Sequence, residues 1–205
     1  PLASVLGIAL TLQRGSGQLT PADADDLLGR LAGNARKLDR ILTSLLDLDR
    51  LDRGIVELRR ERVDLARLVA GVVKETRGEL LHGHPVTLDL IPVQVLADAA
   101  KVERIVENLL ANAARHTDPG TPIWVRVEQG DRGALLCVDD AGPGIPPGQH
   151  ESIFRPFQRG PAGLAGVPGS GVGLALVAQL AGLHQGRAWV EDRAGGGASF
   201  RVLLP

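Results

Sequence analysis

Three short runs in this 205-residue chain carry hydrogen-bonding or cation-binding side chains, glycines that let a backbone come close, or both. In Glu107-Asn108-Leu109-Leu110-Ala111-Asn112-Ala113-Ala114-Arg115-His116, helical spacing puts Asn108, Asn112 and Arg115 on one face. A core-facing asparagine must find hydrogen bonds or cost about 1–3 kcal/mol, so two of them one turn apart beside a cation point to a shared polar ligand. Amide oxygens suit a hard cation such as Mg²⁺, which keeps waters and phosphate oxygens as its other ligands. In Asp139-Asp140-Ala141-Gly142-Pro143-Gly144-Ile145-Pro146 an acid closes an apolar strand and small residues follow. A carboxylate there accepts a hydrogen bond from an exocyclic amine, and adenine carries one. In Pro168-Gly169-Ser170-Gly171-Val172-Gly173-Leu174-Ala175-Leu176, glycines lead into a helix whose free N–H groups and dipole favour an anion.

Each run has a plainer reading when taken singly: surface asparagines near a helix end, an Asp-Gly turn capping a strand, a common glycine turn. Between the second and third lies Ile153-Phe154-Arg155-Pro156-Phe157-Gln158-Arg159, holding two of the three phenylalanines. These two are expected to anchor a lid against the domain, with Arg159 either swinging toward phosphate or simply solvated. The glycine run lacks the Lys-Ser/Thr of a Walker loop and follows a lid rather than a strand, so neither the P-loop nor the dinucleotide-binding fold fits.

The elements that must hold these residues divide in two. Pro1 suits the first turn of a helix that Gly15-Ser16-Gly17 breaks, and a second helix starts at Thr20-Pro21 with Asp23, Asp25 and Asp26 opposing the helix dipole. Leu28, Leu31, Ala35, Leu38, Leu42, Leu45 and Leu48 then recur at steps of three and four, the narrow stripe of a bundle seam. A long and a short helix bury such stripes poorly between themselves. An antiparallel hairpin pairing with a second copy, giving a homodimeric four-helix bundle, is the expected solution, against the alternative that the hairpin packs on its own domain. Residues 1–54 are assigned to this hairpin, 55–62 to a polar connector, and 63–205 to a mixed domain. In that domain Val63 to Leu81 reads as helix, Val86 to Ile91 and Val93 to Ala97 as strands, and Asp98 as the N-cap of a helix from Ala99 to His116. Strands Ile123 to Glu128 and Ala134 to Asp139, a Gly/Pro-rich lid from Gly142 to Gly173, a helix from Val172 to Leu183 and a hairpin of Arg187 to Glu191 with Ser199 to Leu204 complete it.

Composition removes several function classes. The 44% hydrophobic content fills a core, and 23 basic against 24 acidic residues, without a long run of either sign, leave no footprint for nucleic acid or anionic lipid. The single cysteine, Cys137, lies in an apolar run and reads as a buried thiol, which favours a reducing compartment. No stretch reaches the ~20 apolar residues of a membrane span, so a membrane anchor is expected only in segments outside these residues and this portion is expected to be cytoplasmic. The absence of any methionine suggests an internal piece of a longer polypeptide.

In combination, order and spacing, the runs resemble those of bacterial two-component sensor histidine kinases. Asn108 to Thr117 is similar to their N box, Asp140-x-Gly142-x-Gly144 to the first glycine box, Phe154 to Phe157 to the F box, Gly169-x-Gly171-x-Gly173 to the second glycine box, and Gly195-Gly196-Gly197-Ala198-Ser199-Phe200 to the last, with Ser199 where the family often has Thr. The resemblance implies a helical hairpin forming a dimeric four-helix bundle, followed by a Bergerat-fold α/β sandwich with three helices on one face of a mixed sheet. It implies ATP and Mg²⁺ as ligands, with Asn112 on the metal, Asn108 and Arg115 facing the phosphates, His116 near the adenine and Asp140 on its amine. Gly142, Gly144, Ile145, Phe157, Arg159, Gly169, Ser170, Gly171, Val172, Gly173, Leu174 and Ser199 complete the implied nucleotide site. Pro1-Leu2-Ala3-Ser4 is similar to the tail of the family's H box, which implies a phosphoacceptor histidine a few residues ahead of Pro1. None of His82, His84, His116, His150 or His184 has that context. The implied partners are a second copy and a response regulator receiver domain.

Two rival readings stay open. Hydrolysing ATPases of the same fold carry a Glu one turn before the metal-binding Asn, where this chain has Asn108. A non-enzymatic dimeric scaffold would not require intact glycine boxes.

Overall fold

A computed structural model describes residues 2–14, 19–55, 57–78, 80–158 and 171–205, apart from the side chains of Lys37, Arg40 and Asp52. The chain divides into two compact units, Pro1–Asp49 and Arg50–Pro205. The first consists of helices α1 (Leu2–Arg14) and α2 (Pro21–Asp52), the latter running on into the second unit. A reciprocal cap starts α2: the Thr20 hydroxyl accepts from the Asp23 N–H at 3.2 Å and donates to the Asp23 carboxylate at 2.6 Å. The anticipated break at Gly15-Ser16-Gly17 lies outside the described residues. Leu28 and Leu42 of the anticipated stripe are exposed, as are Leu2, Leu6, Leu10 and Leu46, while Leu48 is buried.

In the second unit β1 (Glu61–Asp64), α3 (Leu65–Thr76), β2 (Val86–Leu90), β3 (Gln94–Ala97), α4 (Ala99–Arg115), β4 (Ile123–Gly130), β5 (Gly133–Asp140), α5 (Gly173–Leu183), β6 (Arg187–Asp192) and β7 (Ala198–Leu204) follow in order. The main sheet runs β2-β4-β5-β7-β6, parallel only between β2 and β4. Ile123, Val125 and Val127 of β4, Ala134, Leu136 and Val138 of β5, and Phe200, Val202 and Leu204 of β7 share one buried face. The apolar stripes of α3, α4 and α5 supply the rest of the core: Leu65, Val69 and Val73; Val102, Ile105, Val106 and Leu109; and Ala175, Leu176 and Leu180. The opposite face carries Arg126 paired with Glu128 and Asp139, Arg201 paired with Glu191, and Arg187 and Arg193 stacked over Trp189 and Trp124.

Two expectations need correction. The end of the polar connector, Glu61 and Arg62, is the first half of β1, which pairs antiparallel with β3; the segments flanking Ile91-Pro92 enter different sheets. With a single buried side chain, Val63, β1 is too short to display a period. The helix expected from Val63 to Leu81 starts at Leu65, because Asp64 caps it by accepting from the Arg67 N–H at 3.1 Å, and stops at Thr76.

At the end of α5, Gln185 adopts φ 61, a left-handed conformation that glycine fills without strain. Gln185→Gly is expected to raise stability by about 0.5 kcal/mol, the relief of strain being partly offset by a looser unfolded chain. A higher urea midpoint would show it; a lower one would contradict it.

Candidate functional site

Asp140 is the last residue of β5, and strand alternation aims its carboxyl toward the helices. It is only 4% exposed. Its Oδ1 accepts from the Gly142 N–H at 2.9 Å and, more loosely, from the Ala198 N–H at 3.4 Å. The second oxygen meets no donor among the described residues. Burial pushes the pKa above the ordinary aspartate value, and the two backbone N–H groups oppose that shift.

Around this carboxylate the backbone is packed to the limit set by missing side chains. A Cβ on Gly142 would lie 2.8 Å from the Thr117 methyl and 2.9 Å from Asp140 Oδ1. Gly197, at φ 98, brings its α-carbon against the Asp140 carbonyl oxygen, where a Cβ would overlap that oxygen, and Gly144 at φ 73 faces the Gly197 carbonyl. Thr117 donates to the Ala113 carbonyl at 2.8 Å, which leaves its methyl against Gly142. His116 caps α4 through its backbone N–H to Asn112, and burial, then the neighbouring Arg115 charge, lowers its imidazole pKa, so it stands neutral at pH 7.

The two asparagines differ. The Asn108 amide donates to the Arg104 carbonyl at 2.7 Å, and its Oδ1 faces the start of α5, 2.8 Å from where a Gly173 Cβ would stand. Asn112, half-buried one turn further on, makes no side-chain hydrogen bond among the described residues. Among those residues no group of three His, Cys, Asp or Glu side chains could hold a metal ion. A cation here would therefore rest on the Asn112 amide oxygen together with oxygens of a ligand and water, a donor set that fits Mg²⁺.

The structure thus gathers Asp140, Gly142, Gly144 and His116 at one end, and Asn108, Gly173 and the α5 N-terminus at the other. Gly171, at φ 66, precedes that helix, with buried Val172 and half-buried Leu174 beside it. Its carbonyl accepts from the Phe157 N–H at 2.8 Å. Arg115 is exposed on the Asn112 helix, and the carbonyl of Ile145 is held 2.9 Å from His150 Nε2. Arg159, Gly169 and Ser170 lie outside the described residues.

Two anticipated members fall elsewhere. Phe157, at φ 63, turns its ring outward and is 69% exposed, while Phe154 is half-buried and Ile153 beside it is buried. Ser199 is paired with Asp139 in the β5–β7 register and thus lies on the sheet face opposite the Asp140 carboxyl, where its hydroxyl accepts from Arg201. Sequence reasoning missed Thr117 and the Gly197–Ala198 backbone as parts of the Asp140 setting. The triple glycine before Ala198 signalled the backbone, and the end of the Asn108 to Thr117 run the threonine. Cys137 is buried, its thiol pushed up to about 11 chiefly by burial, so it stays protonated and serves as packing.

The family described as histidine kinase-, DNA gyrase B-, and HSP90-like ATPase matches residues 97–205. The chain is 36% identical over 210 residues to the probable sensor histidine kinase TcrY of Mycobacterium tuberculosis, an alignment covering 100% of this chain and 43% of that protein. Among solved structures it is similar to a mycobacterial sensor histidine kinase MprB, with TM-score 0.63 and 34% identity over 71% of this chain and 97% of that one. It is also similar to full-length ShkA in complex with AMPPNP, with TM-score 0.74 and 26% identity over 100% of this chain and 43% of that one.

Proposed function

The chain belongs to the histidine kinase-, DNA gyrase B-, and HSP90-like ATPase family, and from that premise we propose that it is the nucleotide-binding core of a sensor histidine kinase. It spans less than half of the curated relative aligned above, so the activity proposed is that of the longer protein. The observation that carries the reading is Asp140, a buried carboxylate with one oxygen tied to backbone and the other left for a ligand. That oxygen accepts from the adenine amine, Gly142 and Gly144 admit the base, and the glycine-led N-terminus of α5 receives phosphate. Asn112 contributes an amide oxygen to Mg²⁺, which offsets phosphate charge when bound.

The reaction is attack of a histidine nitrogen on the ATP γ-phosphorus: a P–N bond forms, the bond to the bridging oxygen breaks, and ADP leaves. The resemblance puts that histidine just ahead of Pro1. The phosphoryl group then passes to an aspartate of a response regulator receiver domain. The chain's contribution is positioning and charge neutralisation. Asn108 supports transfer over hydrolysis, since a carboxamide has no basic atom to activate water. The exposed leucines of α1 and α2 support a dimer through the helical unit, with residues 1–54 as the dimerisation hairpin and 63–205 as the ATP-binding domain.

Titration with ATP tests this reading. Asn112→Ala is expected to weaken binding about tenfold or more in Mg²⁺ and to change little in EDTA, the loss of a charge-assisted contact. Equal losses in both buffers would remove Asn112 from the metal; no ATP binding by the unsubstituted chain would defeat the proposal.

A further inference from the structure

Away from the nucleotide cluster, one polar ring, buried at Asp98 and His184 and exposed at Arg59 and Arg60, joins three parts of the ATP-binding unit. His184, capping α5, is 5% exposed; its Nδ1 lies 2.8 Å from the Leu180 carbonyl oxygen and its Nε2 3.1 Å from the Asp98 backbone nitrogen. A carbonyl only accepts and an amide N–H only donates, so these contacts select the neutral tautomer with its proton on Nδ1. Asp98, 8% exposed, caps α4: Oδ1 accepts from the Lys101 N–H at 3.2 Å, and Oδ2 accepts from the Arg59 N–H at 3.0 Å. Arg60 donates to the Leu183 carbonyl at 3.1 Å, a cation at the negative end of α5.

A staple between two helix ends would need only His184 and Asp98. Here the second Asp98 oxygen is committed to Arg59 and a terminal α5 carbonyl to Arg60, consecutive residues where the chain arrives from the helical unit. The same two helices carry Asn108 and Asn112 on α4 and the glycine-led start on α5. The 11 residues of α5 set that start about 16 Å from His184, too far for direct contact with a ligand there.

We propose that the ring of Arg59, Arg60, Asp98 and His184 is the junction through which the connector sets how α4 and α5 seat the bound nucleotide, with His184 a positioning residue for phosphoryl transfer. This rests on the kinase reading above. The ring touches no ligand-binding group, so cutting it disturbs alignment at the reacting end and spares affinity.

The test uses the full-length protein, with ATP-Mg²⁺ affinity and autophosphorylation rate at saturating ATP measured side by side. His184→Asn keeps a donor near Nδ1 for Leu180 and loses the acceptor for Asp98; His184→Gln carries its amide oxygen out to the Nε2 position and keeps that acceptor. Arg60→Ala removes an exposed side chain and leaves the core intact. His184→Asn and Arg60→Ala are expected to slow the rate about five- to tenfold with affinity within about twofold, the scale of coupling energies, while His184→Gln stays near the unsubstituted protein. Affinity falling in step with rate, an unchanged rate in Arg60→Ala, or His184→Gln failing like His184→Asn would each overturn the junction while leaving the kinase reading in place. An unsubstituted protein that binds no ATP would bring down both.

Discussion

Asp140→Asn is expected to weaken ATP binding about a hundredfold without unfolding the protein. Asparagine keeps an oxygen where Oδ1 accepts from Gly142 and Ala198, so the local turn survives. Its NH₂ replaces the oxygen left for the ligand, and two donors then face each other across the base. A lost charge-assisted hydrogen bond is worth about 1.5–3 kcal/mol and the mismatch adds to it, so roughly 3 kcal/mol, two orders of magnitude in Kd, is the expected loss. Guanine presents a carbonyl at the corresponding ring position, so discrimination between ATP and GTP should narrow in the same variant. Calorimetric titration with both nucleotides decides it. ATP affinity within about threefold of the unsubstituted chain would show that this carboxylate does not read the base.

The direction of the Asp140 pKa shift carries two further consequences. Binding needs the carboxylate, so affinity falls as acidification protonates it, at a pH above the ordinary aspartate range. For folding the sign reverses. A raised folded-state pKa means that the folded chain holds this proton more tightly than the unfolded chain, so the group's contribution is greatest below its unfolded pKa and declines as pH rises through the folded one. At pH 7 Asp140→Asn removes that cost, and its melting temperature should equal or exceed that of the unsubstituted protein while its ATP affinity collapses.

Gly197→Ala is the second large effect. Two independent penalties meet at this residue: φ 98 is a conformation that L side chains rarely adopt, and the new Cβ overlaps the Asp140 carbonyl oxygen. Backbone strain of about 1–2 kcal/mol plus the overlap gives an expected destabilisation of about 3 kcal/mol or more. Relief requires β7 and the end of β5 to part, which displaces Asp140, so ATP affinity should drop with stability. Gly196→Ala is the control. It shares a positive φ of 92 with nothing within 4 Å of its Cβ, so it pays the backbone strain alone, and the difference between the variants measures the close approach. Both tryptophans, Trp124 and Trp189, lie on strands of the ATP-binding unit, so urea unfolding followed by their fluorescence reports on the relevant unit. Equal losses at 196 and 197 would show that contact with Asp140 is not what the glycine serves.

The residues by themselves were enough for the features whose causes are local. Asp98 and Thr20 announce helix starts because a short polar side chain satisfies N–H groups one turn ahead, and α4 is legible because its buried residues recur with the helical period. Asp140 could be singled out because an acid ending an apolar run followed by Gly142 and Gly144 needs nothing distant to look unusual. Tertiary structure alone decided the rest. Alternation along a strand leaves Ser199 free to face either way until the β5–β7 register pairs it with Asp139, and that register turns it away from the site. Asn108 and Asn112 look equivalent one turn apart, yet Gly173 and the Arg104 carbonyl occupy the first and leave the second open. Nothing in β1 or in His184 foretells that they meet β3 and Asp98, because each of those contacts closes a long loop of chain, and such partners exist only once the intervening elements have packed.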